Sequence, residues 1–95
     1  SNRRSCDIPV NFAAYDRVYS DRIMNISPKG LFIETRRPML AGDEIIMSFR
    51  LEGFDKPLKI KGDIAHATRA GVGVEFKEVS PYVEEMLHLV IKRMK

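Results

Sequence analysis

The sequence has a single cysteine and no long run of apolar residues. The first feature argues against a disulfide-stabilised protein, and the second against a membrane-spanning one. Cys6 alone cannot form a disulfide within the chain. A lone cysteine is compatible with the reducing cytoplasm, which is the location that we expect. Because the longest apolar runs are only a few residues long, the sequence predicts neither a membrane span nor a secretory signal.

The residue patterns of common catalytic and metal sites are also missing. Two histidines and one cysteine, without clustered carboxylates, give no set of metal ligands. No serine, cysteine or lysine stands in a recognisable nucleophile arrangement, and there is no glycine-rich phosphate loop. The sequence therefore predicts a protein that is not an enzyme and that holds no cofactor.

What the sequence does contain is typical of one small globular domain. Its 95 residues are 44% apolar and 31% charged, which fits a folded chain with one compact core. The net charge of +3 mildly favours anionic partners. The basic residues are dispersed except in three clusters, which are Arg3-Arg4, Arg36-Arg37 and Lys92-Arg93-Lys95.

Short alternating segments between turn residues predict six strands. The clearest is the fourth, where apolar residues at every second position from Ile45 to Leu51 form one face. Gly62 lies inside the fifth strand and indicates a bulge or a bend. The predicted strands cover residues 8–15, 19–27, 31–35, 45–51, 58–64 and 72–76.

One amphipathic helix is predicted over residues 80–95. Ser80 is suited to the N-cap and Pro81 to the first helical position, and basic residues near the end complement the helix dipole. Six strands and one C-terminal helix predict an all-β fold, either an antiparallel barrel or a strongly curled sheet. The helix is expected to cover an open end or side.

A polar strand end near the arginine pair is the candidate binding site. Asn25 and Ser27 lie two residues apart, so a strand places both on one face and Met24 and Ile26 on the other. The proline and the glycine that follow force a turn beside them. An amide, a hydroxyl and open backbone near mobile arginines suit a planar ligand that carries phosphate.

Three motifs, in order over nearly the whole chain, then point to a family. Residues 25–30 (Asn-Ile-Ser-Pro-Lys-Gly) fit the pattern (Asp/Asn)-x-Ser-x-x-Gly, and residues 30–35 with residues 40–44 fit the stretch that follows it. Residues 71–76 (Gly-Val-Gly-Val-Glu-Phe) fit Gly-x-Gly-x-x-Phe. Together they resemble the PilZ domain family, bacterial receptors for cyclic di-GMP. The resemblance implies a six-stranded split barrel without catalytic activity.

The resemblance also implies a role for each candidate residue. The arginines grip phosphates and stack on guanine, Asn25 and Ser27 hold a guanine edge or a phosphate, and His66 covers a purine. Each has a structural alternative: a solvated charge pair, a turn cap, or a half-buried barrel histidine. Gly30 serves either a positive φ angle or a close backbone approach. The predicted ligand-binding residues are Arg3, Arg4, Asn25, Ser27, Gly30 and His66.

Asp7 is a departure from the family pattern. The family carries Arg-x-x-x-Arg just before the first strand, and Asp7 stands where the second arginine is expected. An aspartate donates to neither phosphate nor guanine, and its charge repels an anionic ligand. Loss of a charge-assisted hydrogen bond costs about 1.5–3 kcal/mol, which is roughly a tenfold to hundredfold loss of affinity.

The resulting hypothesis is a receptor with a flexible arm at residues 1–7 and a barrel domain at residues 8–95. Binding of cyclic di-GMP is expected to order the arm and so to signal to a partner protein or a fused domain. The first alternative is a PilZ-like interaction module that does not bind cyclic di-GMP. The second, a barrel that binds nucleic acid, requires aromatic residues interleaved with basic ones on an outer face. Phe12, Phe49 and Phe76 are instead expected in the core, which leaves only Tyr15, Tyr19 and Phe32 as candidates.

Overall fold

The computed structural model describes residues 3–94, which form six strands and one helix. Strand β1 is Arg4–Ala14, β2 is Arg17–Ser27 and β3 is Gly30–Glu34. Strand β4 is Glu44–Phe49, β5 is Leu58–Ala67, β6 is Gly71–Lys77, and the helix α1 is Pro81–Arg93. The predicted all-β fold with one C-terminal helix is confirmed.

The six strands close into an antiparallel barrel, which settles the choice between a barrel and a curled sheet. Their order around the barrel is β1-β2-β3-β6-β5-β4, and β4 pairs back onto β1. That last pairing covers only Val10 to Ala13 of β1. The first half of β1 therefore pairs with β2 alone, so Pro9 is tolerated there despite its missing N–H.

The barrel interior is filled by the apolar face of each strand. The predicted inward residues of β4 and β5 are buried, and α1 adds Leu87 and Ile91 from above. Burying these side chains, at about 1.5–3 kcal/mol each, supplies most of the stability of the fold. The largest fully buried side chains are Phe12, Ile23, Ile26, Leu31, Ile33, Ile45, Met47, Ile64, Leu87 and Ile91.

Helix α1 lies across the barrel end that holds the β2–β3 turn. Its predicted start is confirmed, because the Ser80 hydroxyl accepts a hydrogen bond from the Val83 N–H at 3.2 Å and Pro81 is the first helical residue. An ion pair of 3.2 Å between Lys29 and Glu84 joins the turn to the helix. The helix ends at Arg93; the last residue of the predicted helix, Lys95, lies outside the described residues.

Two sequence expectations differ from the structure because of strand irregularities. Strand β1 begins at Arg4, not at residue 8, because a bulge between Ser5 and Ile8 lets the chain continue pairing with β2. A second irregularity lies between Ile23 and Asn25. It makes Ile23 a core residue and leaves Met24 half-buried.

The predicted bulge at Gly62 is wrong. Gly62 pairs in register with Ile45 and Phe76, and the irregularity of β5 lies between Ile64 and His66. A Cβ at position 62 would lie 2.4 Å from a methyl group of Val74. Glycine therefore occurs there because the barrel interior has no room for a side chain.

Candidate functional site

A row of residues crosses the outer face of five neighbouring strands. Strand pairing sets Ser5 opposite Asn25, Asn25 opposite Phe32, Phe32 opposite Gly73, and Gly73 opposite His66. We call these five residues the outer row. Neighbouring strands lie about 4.8 Å apart, so the path from Asn25 to His66 along the curved barrel surface is about 14 Å.

Arg3 and Asn25 meet at one end of the outer row. The Nη1 group of Arg3 donates a hydrogen bond to Oδ1 of Asn25. Arg3 is exposed and Asn25 is half-buried, so the contact lies at the surface. Two predicted site residues from distant parts of the sequence are thus brought together, and Asn25 orients a guanidinium beside the row.

Two rings form a platform at the other end of the outer row. The ring centroids of Phe32 and His66 are 6.4 Å apart, with an interplanar angle of 31°. The imidazole lies directly over Gly73, where an added Cβ would come within 2.2 Å of the His66 Cε1 atom. His66 is exposed, so the alternative of a half-buried barrel histidine is wrong. Glycine at position 73 is what allows the ring to lie against β6.

Phe32 was missing from the sequence prediction of the site. Its neighbours Leu31 and Ile33 are fully buried, whereas Phe32 is only half-buried. Alternation along β3 therefore turns an aromatic ring outward, directly opposite Asn25. An apolar residue on the polar face of a strand, next to a binding motif, is the signal that identifies it.

Ser27 and Gly30 hold the β2–β3 turn. The Ser27 hydroxyl accepts from the Gly30 N–H and donates to the Gly30 carbonyl oxygen, both at 3.2 Å. It also accepts from the Lys29 N–H at 3.4 Å. A Cβ at position 30 would lie 2.2 Å from the Val74 carbonyl oxygen, so Gly30 serves a close backbone approach and not a positive φ angle. Both motif residues therefore stabilise the turn, a role that requires no ligand.

Arg4, like Ser27 and Gly30, lies apart from the outer row. It pairs with the buried Ile26 and is itself half-buried. Its side chain lines a concavity of about 450 Å³ between the β2–β3 turn and α1, together with His88 and Lys92. Arg4 therefore contacts the helix end of the barrel, whereas Arg3 contacts the outer row.

Asp7 has a partner that the sequence did not reveal. Its carboxylate accepts a hydrogen bond from Nε of Arg22, on the facing strand β2. The two side chains are 63% and 50% exposed. The negative charge that was expected to repel an anionic ligand is therefore compensated by a guanidinium, and Asp7 lies next to Arg22 rather than in isolation.

Cys6 is half-buried in the same bulge and is a weak nucleophile. Burial, and to a lesser extent the charge of Asp7, raises the pKa of the Cys6 thiol above its ordinary value. The sulfur lies 3.6 Å from the Ile23 carbonyl oxygen. The thiolate is thus disfavoured, and the residue packs against the core instead of contributing chemistry.

A wide open groove lies at the end of the barrel opposite α1. It has a volume of about 890 Å³ and is lined by Tyr19, Arg37 and Arg69 among others. The Arg37 guanidinium stacks over the Tyr19 ring at 4.2 Å, and its Nε lies 3.6 Å from Asp21. No residue of the outer row lines this groove. The predicted residues Asn25 and His66 lie on the outer row and not in the groove, so the outer row is the candidate site.

Comparison with known proteins agrees with the motifs. The family model described as the PilZ domain matches residues 1–92. The chain belongs to the PilZ domain family. A comparison with curated proteins finds no match. The family is one of cyclic di-GMP receptors, and PilZ domains are known as non-catalytic receptor domains.

Solved structures show the same fold at low sequence identity. The PilZ domain of CeSA from a cellulose-synthesizing bacterium has a TM-score of 0.77 at 18% identity, and the match covers 97% of both chains. The inhibitor of motility MotI/DgrA of Bacillus subtilis has a TM-score of 0.82 at 14% identity, and the match covers 96% of this chain and 48% of that one.

A third similar structure was solved with a ligand. PlzA of Borreliella burgdorferi, in complex with c-di-GMP, has a TM-score of 0.63 at 14% identity, and the match covers 84% of this chain and 31% of PlzA. The chain thus spans about half of MotI and about a third of PlzA. Within residues 3–94, no helix is both long and apolar enough to cross a bilayer.

Proposed function

We propose that this PilZ domain is a non-catalytic, cytoplasmic receptor that binds cyclic di-GMP across the outer row. The observation that carries the proposal is the contact between Arg3 and Asn25. It places a guanidinium beside the motif amide, so part of the proposed binding geometry is preorganised. The PlzA complex with c-di-GMP supports the choice of ligand.

Each end of the outer row suits one part of such a ligand. Arg3 offers planar N–H donors to a phosphate, and the amide of Asn25 presents both a donor and an acceptor to a guanine edge. Phe32 and His66 offer ring faces on which a purine stacks, an interaction worth about 1–3 kcal/mol per base. The path of about 14 Å along the barrel surface from Asn25 to His66 leaves room for more than one ring.

Arg4 provides a route from the ligand to the rest of the protein. The first half of β1 is held by β2 alone, and Arg4 lines a concavity that it shares with α1. A phosphate that engages Arg4 draws this segment from the helix toward the outer row. The surface that α1 and the N-terminal segment present to a partner protein or a fused domain then changes. Movement of residues 1–7 on binding remains a prediction, and Ser1 and Asn2 lie outside the described residues.

Calorimetric titration with cyclic di-GMP at about 0.15 M salt tests the proposal, because surface electrostatics depend on ionic strength. We expect binding by the wild type and a loss of roughly tenfold or more for Arg3→Ala and Asn25→Ala. Arg69→Ala is the matched control, since it removes an exposed arginine from the groove at the opposite end. A wild-type protein that does not bind, or a loss confined to Arg69→Ala, contradicts the proposed site.

The rival function is an interaction module that binds no cyclic di-GMP. Asp7 is the residue that favours it, because the second arginine is absent. Its ion pair with Arg22 weakens the argument, since the carboxylate is not an uncompensated charge facing the ligand. The same titration separates the two functions.

A further inference from the structure

We infer that Arg22 supplies the second guanidinium of the cyclic di-GMP site, in place of the arginine that Asp7 replaces. The inference rests on the proposed function and names a residue of the same site. No motif points to Arg22, which precedes Asn25 by three positions on β2. The geometry that assigns it is its contact with Asp7.

The contact puts a guanidinium where an arginine at position 7 would carry its own. Asp7 is short, and the Arg22 guanidinium is bonded to the end of its carboxylate. Joined end to end, the two side chains thus place a guanidinium about as far from β1 as a single arginine side chain would. The bulge between Ser5 and Ile8 places Asp7 close enough to β2 for this bond.

Arg22 keeps most of its donors available in this arrangement. An arginine has five N–H donors, and Asp7 takes the one on Nε. In the part of the chain that the structure describes, the Nη groups of Arg22 donate no hydrogen bond to another residue. The Nη groups are the edge that grips a phosphate in bidentate fashion. Asp7 therefore orients Arg22 while leaving its terminal donors open to solvent.

Position on the sheet connects Arg22 with the outer row. On either side of the irregularity in β2, Ile23 and Ile26 point into the core, while Arg22 and Asn25 lie on the surface side. The guanidinium of Arg3 is hydrogen-bonded to Asn25, and that of Arg22 to Asp7. The two groups then flank the same stretch of the β1–β2 pair. Two guanidiniums at this spot match the two anionic phosphodiesters of the ligand.

Affinity measurements on three variants test the inference. We expect Arg22→Ala to bind cyclic di-GMP roughly tenfold to hundredfold more weakly than wild type. The variant Asp7→Arg in the Arg22→Ala background is expected to regain that affinity, since it restores a guanidinium from the β1 side. Arg17→Ala, which removes an exposed arginine from the same strand, is expected to bind like wild type.

One further double variant distinguishes phosphate binding from mere neutralisation of Asp7. If Arg22 only cancels the charge of Asp7, then Asp7→Asn with Arg22→Ala binds like wild type, and the inference is overturned. If Arg22 grips phosphate, this double variant stays as weak as Arg22→Ala. Equal affinity of Arg22→Ala and wild type also overturns the inference and leaves the receptor function standing, whereas a wild type that does not bind ends both.

Discussion

Replacing Gly73 by alanine is expected to displace the His66 ring of the aromatic platform while leaving the stability of the barrel nearly unchanged. An added Cβ would lie 2.2 Å from Cε1 and 2.6 Å from Nε2 of His66. Carbon atoms in contact need about 3.5 Å, so the imidazole has to retreat by roughly 1.3 Å. Because His66 is exposed, a rotamer change provides that space. Alanine also restricts the unfolded chain, so we expect a free energy of unfolding within about 1 kcal/mol of wild type.

The same substitution at Gly30 is the matched control for stability. There the added Cβ meets the Val74 carbonyl oxygen at 2.2 Å and the Glu75 Cα at 3.3 Å. Backbone atoms of a closed barrel cannot rotate away, so β3 and β6 have to separate. Overpacking of about 1–3 kcal/mol plus one weakened backbone hydrogen bond of about 1 kcal/mol predicts a loss of about 2–4 kcal/mol. The melting temperature then falls by roughly 10 °C or more.

Urea unfolding followed by circular dichroism measures both variants, and proton NMR follows the two histidine rings. We expect Gly73→Ala to keep its stability, to shift the His66 ring resonances and to leave those of His88 in place. Its affinity for cyclic di-GMP is expected to fall, because the platform is displaced. A Gly73→Ala variant as unstable as Gly30→Ala, or one with unmoved His66 resonances, refutes the reasoning.

Three further outcomes are expected. Leu87 is fully buried, so Leu87→Ala lowers the free energy of unfolding by about 2–5 kcal/mol in urea titrations, and a loss below about 1 kcal/mol contradicts the packing of α1. Since burial and the charge of Asp7 raise the pKa of Cys6, iodoacetamide alkylates the thiol more slowly than free cysteine at pH 8, and Asp7→Asn speeds the reaction. The hydrogen bond from Lys77 lowers the pKa of Glu44, so this carboxylate adds stability above its ordinary pKa that is lost as the pH falls. Lys77→Met is therefore expected to flatten the acid side of the stability curve, and an unchanged slope contradicts the pairing.

The elements that could be predicted from the sequence are those with a repeating local signal. Alternation from Ile45 to Leu51 identified β4 because each inward residue meets the core and each outward one meets water. The helix start at Ser80 was predictable because an N-cap hydroxyl followed by proline has a direct physical role. These signals depend only on neighbours in the sequence, so they can be recognised without knowledge of the fold.

The bulges were not predictable, and they account for the wrong start of β1 and for the wrong face assigned to Met24. The extra residues between Ser5 and Ile8, and the irregularities near Met24 and before His66, carry no compositional mark. A bulge is set by how two strands fit each other, and it reverses which residues face the core. The contact between Asp7 and Arg22 depends on one of them, so it could not be read from spacing along either strand.

The residues that match the motif divide into two groups, and the division decides which variants are informative. Ser27 and Gly30 hold a turn through hydrogen bonds and close backbone packing, so any PilZ barrel with this turn benefits from them, whether or not it binds a nucleotide. A weakened Ser27→Ala variant would therefore be ambiguous, because a loosened turn also moves Asn25. Arg3 is exposed and contacts Asn25 at the surface, so we expect Arg3→Ala to leave the barrel intact. Its affinity therefore reports on ligand binding more directly than that of Ser27→Ala.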